Sequence, residues 1–441
     1  MGIRIKKKGF RHGVFLSNYN PTSSSPIEKA PLSEKVIIPL YQNNGGASNA
    51  LVKRGDRVLA GQKIGDSEDF ATTPVHATLS GEVSGIAKLI DPASGRPGDA
   101  LIIASDGEDE WVEIKATENP EALSVKEILE KIREAGIVGG RGDALPAHVK
   151  LSPPDGKRID TVILNGCECE PYLTSNKRLM LENGEAVLSG LNIIRMVLSA
   201  ITIYIAIEGN RDDVIEHMQK LITNSGLTDY KIVPLKPKYP AGAEKILIDT
   251  ILGREFPFGG TAADIGVVVA DVAMTKAIHD AVICGKPFVE KVIAVSGSVR
   301  KPKNLLVRLG TPFGRLIDYC GGIEGEANEV ISGGLMTGTS QYDLDFPVTG
   351  ETDCILVVKS TPSKERDCIR CGWCLEVCPV RLMPTLLASY ARTGRYDDCK
   401  EAYIDSCFEC GACAYICPSN IPLLQYIKIA KSELAKRATT K

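Results

Sequence analysis

The sequence has no apolar stretch long and clean enough to span a membrane. Its longest, Ala186 to Ile207, is interrupted by Asn192 and Arg195 and passes from helical spacing into a β-branched run ending at Ile207, whereas a spanning helix needs about 20 consecutive apolar residues. That stretch reads as a buried helix entering a buried strand. The N-terminus also lacks an apolar h-region, so no export signal is expected and the compartment is expected to be reducing. Charge of one sign is scarce: 52 Lys and Arg against 55 Asp and Glu leave a net charge of -3. Nucleic acid is therefore not an expected partner. The basic start, Arg4-Ile5-Lys6-Lys7-Lys8, reads as a solvated terminus. None of the 5 histidines pairs with a Ser or Cys motif, which removes support for triad hydrolysis.

Cysteine is present in number, 14 in 441 residues, and ten of these fall after residue 350. "CIRCGWCLEVCP" (368 to 379) and "CFECGACAYICP" (407 to 418) repeat one frame of four cysteines closed by a proline. A [4Fe-4S] cluster needs four converging thiolates; C-x-x-C-x-x-C supplies three from one turn, and in two-cluster ferredoxins the trailing cysteine serves the other cluster. Cys368, Cys371 and Cys374 are thus expected to join Cys417, and Cys407, Cys410 and Cys413 to join Cys378. Zinc ribbons pair two C-x-x-C knuckles and leave the third and fourth cysteines of each frame without a role. The segment "PTLLASYARTG" (384 to 394) between the frames carries a proline start, an apolar face and a glycine stop, so the module is expected to be an α-helical ferredoxin domain carrying single electrons.

Four units are expected. Residues 1–120 are β-rich, and "VKRGDRVLAGQKIG" (52 to 65) with "PVHATLSGEVSGI" (74 to 86) look like the halves of a barrel-sandwich hybrid. Lipoyl and biotinyl carriers need a lysine at the tip between such halves; none lies between Ile64 and Ala87, which leaves a scaffolding role. Residues 121–285 alternate helices and strands, the pattern of a parallel Rossmann-like α/β sheet. They include a helix over 125–136 capped by Ser124. Residues 286–345 suggest a small β-grasp, with two strands joined by a Pro-Lys-Asn turn and a helix after Pro312. Residues 346–441 form the cluster domain.

The α/β unit should hold the donor that feeds the relay. "GIVGGRGDALPAHVK" (136 to 150) brings Gly139, Gly140 and Gly142 to a loop that either presents backbone N–H groups to phosphate or is a simple turn. Asn165, Glu168 and Glu170 in "NGCECEPYLT" (165 to 174) follow a strand at the carboxyl edge where α/β folds place ligands. The two acids either orient a nucleotide or are solvated loop charges. "YPAGAEKILIDTILGRE" (239 to 255) puts Gly242 and Glu244 ahead of a helix. Cys167 and Cys169 read as buried packing, and Cys284, Cys320, Cys354 and Cys399 as core or incidental thiols.

These stretches, with "PIEKAP" (26 to 31), "LVRLGTP" (306 to 312) and both cysteine frames, resemble the RnfC family of Rnf electron-transfer complexes from about residue 26 to residue 430. The resemblance implies an FMN domain akin to the flavin-binding component of respiratory complex I, an SLBB β-grasp module, NADH as electron source, and electrons passing through FMN and two [4Fe-4S] clusters toward ferredoxin. It also implies that Lys150 aligns with a lysine near the nucleotide. Implied partners are other Rnf subunits on the cytoplasmic face of a membrane. In a soluble relative of the family, the partner is instead a dedicated reductase such as proline reductase. The sequence departs from the family pattern at Arg141 and Asp143 in the glycine loop, at Asp271-Val-Ala-Met274, and over residues 11–20.

Overall fold

The computed structural model describes residues 7–42, 46–90, 97–140, 145–361 and 363–439. The expected order of units is present, and each is built on its own core. Val36, Ile38, Leu40, Ile64, Val83, Leu101 and Ile103 fill the barrel-sandwich hybrid, between a four-stranded sheet around Gly81–Ile90 and Pro97–Ser105 and a three-stranded sheet around Lys63–Asp66. The turn after Lys63–Asp66, where a carrier would present its lysine, is docked instead. Phe70 carbonyl accepts from His148 Nε2 at 2.7 Å and Ser67 carbonyl accepts from Arg133 Nη2 at 2.8 Å. This unit is a scaffold seated on the next domain.

The α/β domain has four parallel strands in the spatial order Tyr230–Leu235, Thr202–Glu208, Thr161–Asn165, Val267–Asp271. Apolar residues at nearly every position mark strands covered on both faces. Helix Val125–Glu134 buries Ile128 and Ile132, and Ser124 caps it as expected, forming a capping box with Glu127. Helix Gly184–Leu198 packs on helix Val272–Val282 so closely that a Cβ on Gly190 would lie 1.9 Å from the Thr275 carbonyl oxygen. In chain order the strands run 3-2-1-4, so the sheet reverses direction between Thr161–Asn165 and Val267–Asp271. Doubly wound sheets bind ligands at the carboxyl end of such a switch point.

The β-grasp unit differs from expectation in four places. Its sheet has six strands. Strand Ile27–Lys29, expected with the first unit, pairs in parallel with Lys303–Arg308. Strand Cys354–Val358, expected in the cluster domain, lies between Glu290–Gly297 and Glu329–Ser332. The boundary at 345 therefore cuts through a sheet that continues to Val358. Lys303 and Asn304 belong to a strand rather than a turn: Asn304 is fully buried, and its amide donates to the Thr22 carbonyl at 2.8 Å.

The regular elements of the cluster domain after Val358 are helices, among them Trp373–Val377, Pro384–Arg392, Tyr396–Glu401, Ala412–Tyr415 and Leu423–Thr439, joined by loops that carry most of the cysteines. Residues 8–14 tie it to the α/β domain. Lys8 bridges to Leu235 and Val14 to Tyr239, while Gly13 N–H donates to the Val377 carbonyl at 2.9 Å. Gly13 sits at φ +88, with the Tyr239 carbonyl 2.3 Å from where a Cβ would stand, so only glycine fits. Lys8 Nζ donates to the Ile251 carbonyl at 2.8 Å, so the basic start is partly anchored rather than free.

Candidate functional site: two thiol cages beside a nucleotide crevice

The two cysteine frames fold alike. Arg370 and Glu409 stand at φ 58 and 60, Gly372 and Gly411 at 81 and 74, Arg381 and Asn420 at 57 and 50. Each pair is one repeat apart. Left-handed residues curl the chain so that successive cysteines point inward, a conformation that costs little at glycine and about 1 kcal/mol or more elsewhere.

The sulfurs gather across the repeat. Burial raises the Cys374 thiol above its ordinary value, and the charges of Cys371, Cys417 and Cys368 push it the same way. Burial likewise raises the Cys413 thiol, with Cys410, Cys407 and Cys378 as its charged neighbours. The charge of each trailing cysteine is thus felt by a cysteine of the other frame, Cys417 by Cys374 and Cys378 by Cys413. None of the 14 cysteines is paired in a disulfide. A tetrahedral zinc ion with 2.3 Å bonds holds sulfurs about 3.8 Å apart. Among the described residues, the only trio of His, Cys, Asp or Glu ligand atoms within 4.8 Å of one another is His279, Asp280 and Cys284. The frames are therefore wider than a single ion needs, and each fits a cubane that takes one thiolate per corner.

The two cages differ in surroundings. Cys368 and Cys371 are exposed, beside exposed Ile369 and Trp373. The other cage is enclosed by Cys378, which is buried, and by Cys407, Cys410 and Cys413, which are half-buried. The Leu382 amide donates to Cys378 Sγ at 3.2 Å and the Glu409 amide to Cys407 Sγ at 3.4 Å. Lys431 Nζ bonds Glu409 at 2.8 Å and adds positive charge near Cys407. Amide donors and a cation stabilise negative charge on the sulfurs.

This enclosed cage abuts the α/β domain. Tyr239, 3% exposed, donates its hydroxyl to the Cys410 carbonyl at 2.6 Å. Cys169, Val14, Met336 and Ala412 pack around the same contact. Sequence reasoning missed Tyr239; the only local signal was its place at the head of "YPAGAEK".

The crevice lies at the switch point. Asp271 and Asn165 are register partners at the two strand ends, and Gly140 N–H donates to Asp271 Oδ2 at 3.0 Å. A Cβ on Gly140 would stand 3.6 Å from Asp271 Oδ2 and 3.9 Å from Asp353 Oδ1, in contact with two carboxylates. Gly139 N–H donates to the Leu145 carbonyl at 3.0 Å. Arg141, Gly142 and Asp143 lie outside the described residues. Lys150 Nζ stands 3.7 Å from Glu244 Oε2. Asn165 Nδ2 donates to the Gly242 carbonyl at 2.8 Å, tying the strand end to the "YPAGAEK" loop. The Gly139 and Gly140 amides are thus engaged within the chain and carboxylates flank Gly140, so as it stands the described part of the loop does not offer these two N–H groups to a phosphate-bearing cofactor such as FMN.

Two expected nucleotide contacts are otherwise engaged. Glu168 accepts from the Asn176 and Lys177 amides at 2.7 and 3.1 Å, capping helix Ser175–Glu182. Glu170 accepts from the Met336 amide at 2.7 Å and from the Thr337 hydroxyl at 2.6 Å, clamping the β-grasp unit. Both are buried, so neither is a solvated loop charge, and backbone donors occupy their carboxylates. Behind them burial lifts Glu208 to about 7, and Arg211 pulls against that rise.

Residues 8–108 match the RnfC barrel sandwich hybrid domain, 132–280 the Nuo51 FMN-binding domain, 292–340 the SLBB domain and 365–421 the 4Fe-4S dicluster domain. The chain is 44% identical over 433 residues to a component of the proton-translocating ferredoxin:NAD(+) oxidoreductase complex of Clostridium ljungdahlii, across 97% of this chain and 94% of that one. The chain belongs to the RnfC family. The counterpart from the Na(+)-translocating complex of Acetobacterium woodii is 37% identical over 96% of this chain and 98% of its own. A crystal structure of NAD+-reducing [NiFe]-hydrogenase shares the fold at TM-score 0.50 and 16% identity, covering 72% of this chain and 62% of that one. Like its relatives' domains, those of this RnfC-family chain are of the FMN-binding and iron-sulfur kinds, and its role is electron transfer. No described helix is long and apolar enough to cross a membrane.

Proposed function

We propose that this RnfC-family chain takes electrons from NADH at the switch-point crevice and delivers them, through the enclosed and then the exposed thiol cage, toward a ferredoxin-like acceptor in an Rnf-type complex on the cytoplasmic face of a membrane. One observation carries the order: the enclosed cage touches the α/β domain through Tyr239 and Cys410, while Cys368 and Cys371 of the other cage open to solvent. A flavin in the crevice supplies the conversion of a two-electron hydride into the single electrons that cubanes accept.

The chain's own residues bind, orient and exclude water. Cys368, Cys371, Cys374 and Cys417 would ligate one cluster, and Cys378, Cys407, Cys410 and Cys413 the other. Gly139, Gly140, Gly142 and Lys150 would hold the phosphate end of the nucleotide once the Leu145 carbonyl and Asp271 release the Gly139 and Gly140 amides. Asn165, Gly242 and Glu244 shape the opposite wall, and Glu168 and Glu170 fix the loop rather than touch the ligand. Tyr239 and residues 8–14 keep crevice and cage in contact.

The second reading, a soluble relative serving a dedicated reductase, is favoured by Asp271, whose carboxylate takes the Gly140 N–H and also caps helix Val272–Val282 through the Met274 amide at 2.7 Å. An aspartate there repels phosphate. The test is anaerobic addition of NADH to purified protein supplemented with FMN. Bleaching of the iron-sulfur absorption supports the first reading; retention of iron-sulfur absorption with no NADH or FMN binding supports the second.

A further inference from the structure

Helix Val272–Val282 begins at the crevice with Asp271 and ends at a second gathering of ligating side chains. His279, Asp280 and Cys284 place a ring nitrogen, a carboxylate oxygen and a sulfur within 4.8 Å of one another. The chain is bent to achieve this. Cys284 N–H and Lys286 N–H both donate to the Asp280 carbonyl, at 3.1 and 3.0 Å. Gly285 turns at φ +70 where the Lys115 carbonyl, 2.2 Å from a would-be Cβ, admits only glycine. The turn returns Cys284 over the helix end, 3.9 Å from His279 Nε2.

We infer that His279, Asp280 and Cys284 bind a zinc-class divalent cation, with the fourth coordination position open to water. Zinc takes nitrogen at 2.0–2.1 Å and sulfur at 2.3 Å, so a tetrahedral ion holds the two about 3.6 Å apart. The observed 3.9 Å needs a contraction of a few tenths of an ångström. His279 Nδ1 lies 2.8 Å from Ser189 Oγ on the neighbouring helix. Donation from Nδ1–H to that hydroxyl leaves the Nε2 lone pair facing Cys284, the orienting hydrogen bond that metal-bound histidines make. Burial holds His279 below its ordinary value. Asp280 Oδ2 is paired with Lys276 Nζ at 2.5 Å, so an ion there shares its carboxylate with that lysine, and the charge of Lys286 also reaches Cys284. Cys284 is exposed, which gives the ion an entry path.

Asp280 follows Asp271 by nine residues, about 13 Å along a helix axis, so the site is separate from the nucleotide crevice. It adjoins the strap that leaves the barrel-sandwich unit: the Thr117 amide and hydroxyl donate to the Ile283 and Val282 carbonyls at 2.9 and 2.6 Å. An ion here would pin that strap to the helix end.

The test is zinc titration of anaerobically prepared, iron-replete protein against a chromophoric chelator, with iron measured in parallel. We expect one zinc per chain, an affinity at least tenfold weaker in Cys284→Ala and in Asp280→Asn, and about tenfold weaker in Ser189→Ala, all at unchanged iron content. Exposure of Cys284 makes its variant safe for folding. The inference is overturned if wild type and Cys284→Ala take up zinc equally, or if wild type takes up none.

Discussion

Replacing Cys378 separates two wirings of the C-terminal thiols. If each trailing cysteine stayed with its own frame, Cys378 would act with Cys371; the proposed crossed pairing instead groups it with Cys407, Cys410 and Cys413, and the Cys407 and Cys413 thiols feel its charge. A [4Fe-4S] cluster carries four irons on four thiolates, so the intact chain should hold about eight irons and loss of any one ligand about four. Cys378→Ala and Cys410→Ala should each leave about four irons, and the double variant still about four, because both act on one cluster. Cys378→Ala with Cys371→Ala should leave almost none. The assay is iron and acid-labile sulfide per polypeptide after anaerobic purification. Circular dichroism of each variant reports on the α/β and β-grasp domains, whose cores do not include these thiols. An iron-free Cys378/Cys410 pair beside a Cys378/Cys371 pair that keeps about four would refute the crossed assignment.

Other expectations follow from single contacts. Tyr239→Phe removes the hydroxyl from which the half-buried Cys410 carbonyl accepts, a loss of about 0.5–1.5 kcal/mol, and should slow NADH-dependent cluster reduction in stopped-flow mixing while leaving iron content intact; an unchanged rate counts against the contact as the crossing point. Gly190→Ala drives a Cβ into the Thr275 carbonyl, so it should destabilise the α/β domain by roughly 1–3 kcal/mol in urea unfolding. Glu208 titrates near 4.5 when unfolded and near 7 in the fold, so the folded chain binds the extra proton. The stability this gives is full below pH 4.5 and is lost as pH rises through 7. Glu208→Gln should therefore gain on wild type between pH 5 and pH 8, on the order of 2–3 kcal/mol, read from unfolding midpoints at the two pH values.

Much of the fold was legible because its signals are local. The frames at 368–378 and 407–417 announce cluster ligation through spacing alone, and the stripe of Val125–Glu134 with Ser124 announces a capped helix. The valine run of Val267–Asp271 announces a strand buried on both faces. The three residues of Ile27–Lys29 are too short to show a period, and their partner is Lys303–Arg308. Cys354–Val358 reads as a strand in isolation, but nothing local says it completes a sheet begun far earlier, at Glu290–Gly297.

The sequence by itself determined which chemistry is present: eight thiols in two repeated frames, a glycine loop before a parallel sheet, and the order of the four units. Only the tertiary structure decided how these meet. It assigned Glu168 and Glu170 to backbone amides, the latter 166 residues away. It set Tyr239 against Cys410 across 171 residues and left one thiol cage enclosed and the other open. Ligand spacing is written in neighbouring residues, whereas contact between domains depends on surfaces that exist only once each core has closed.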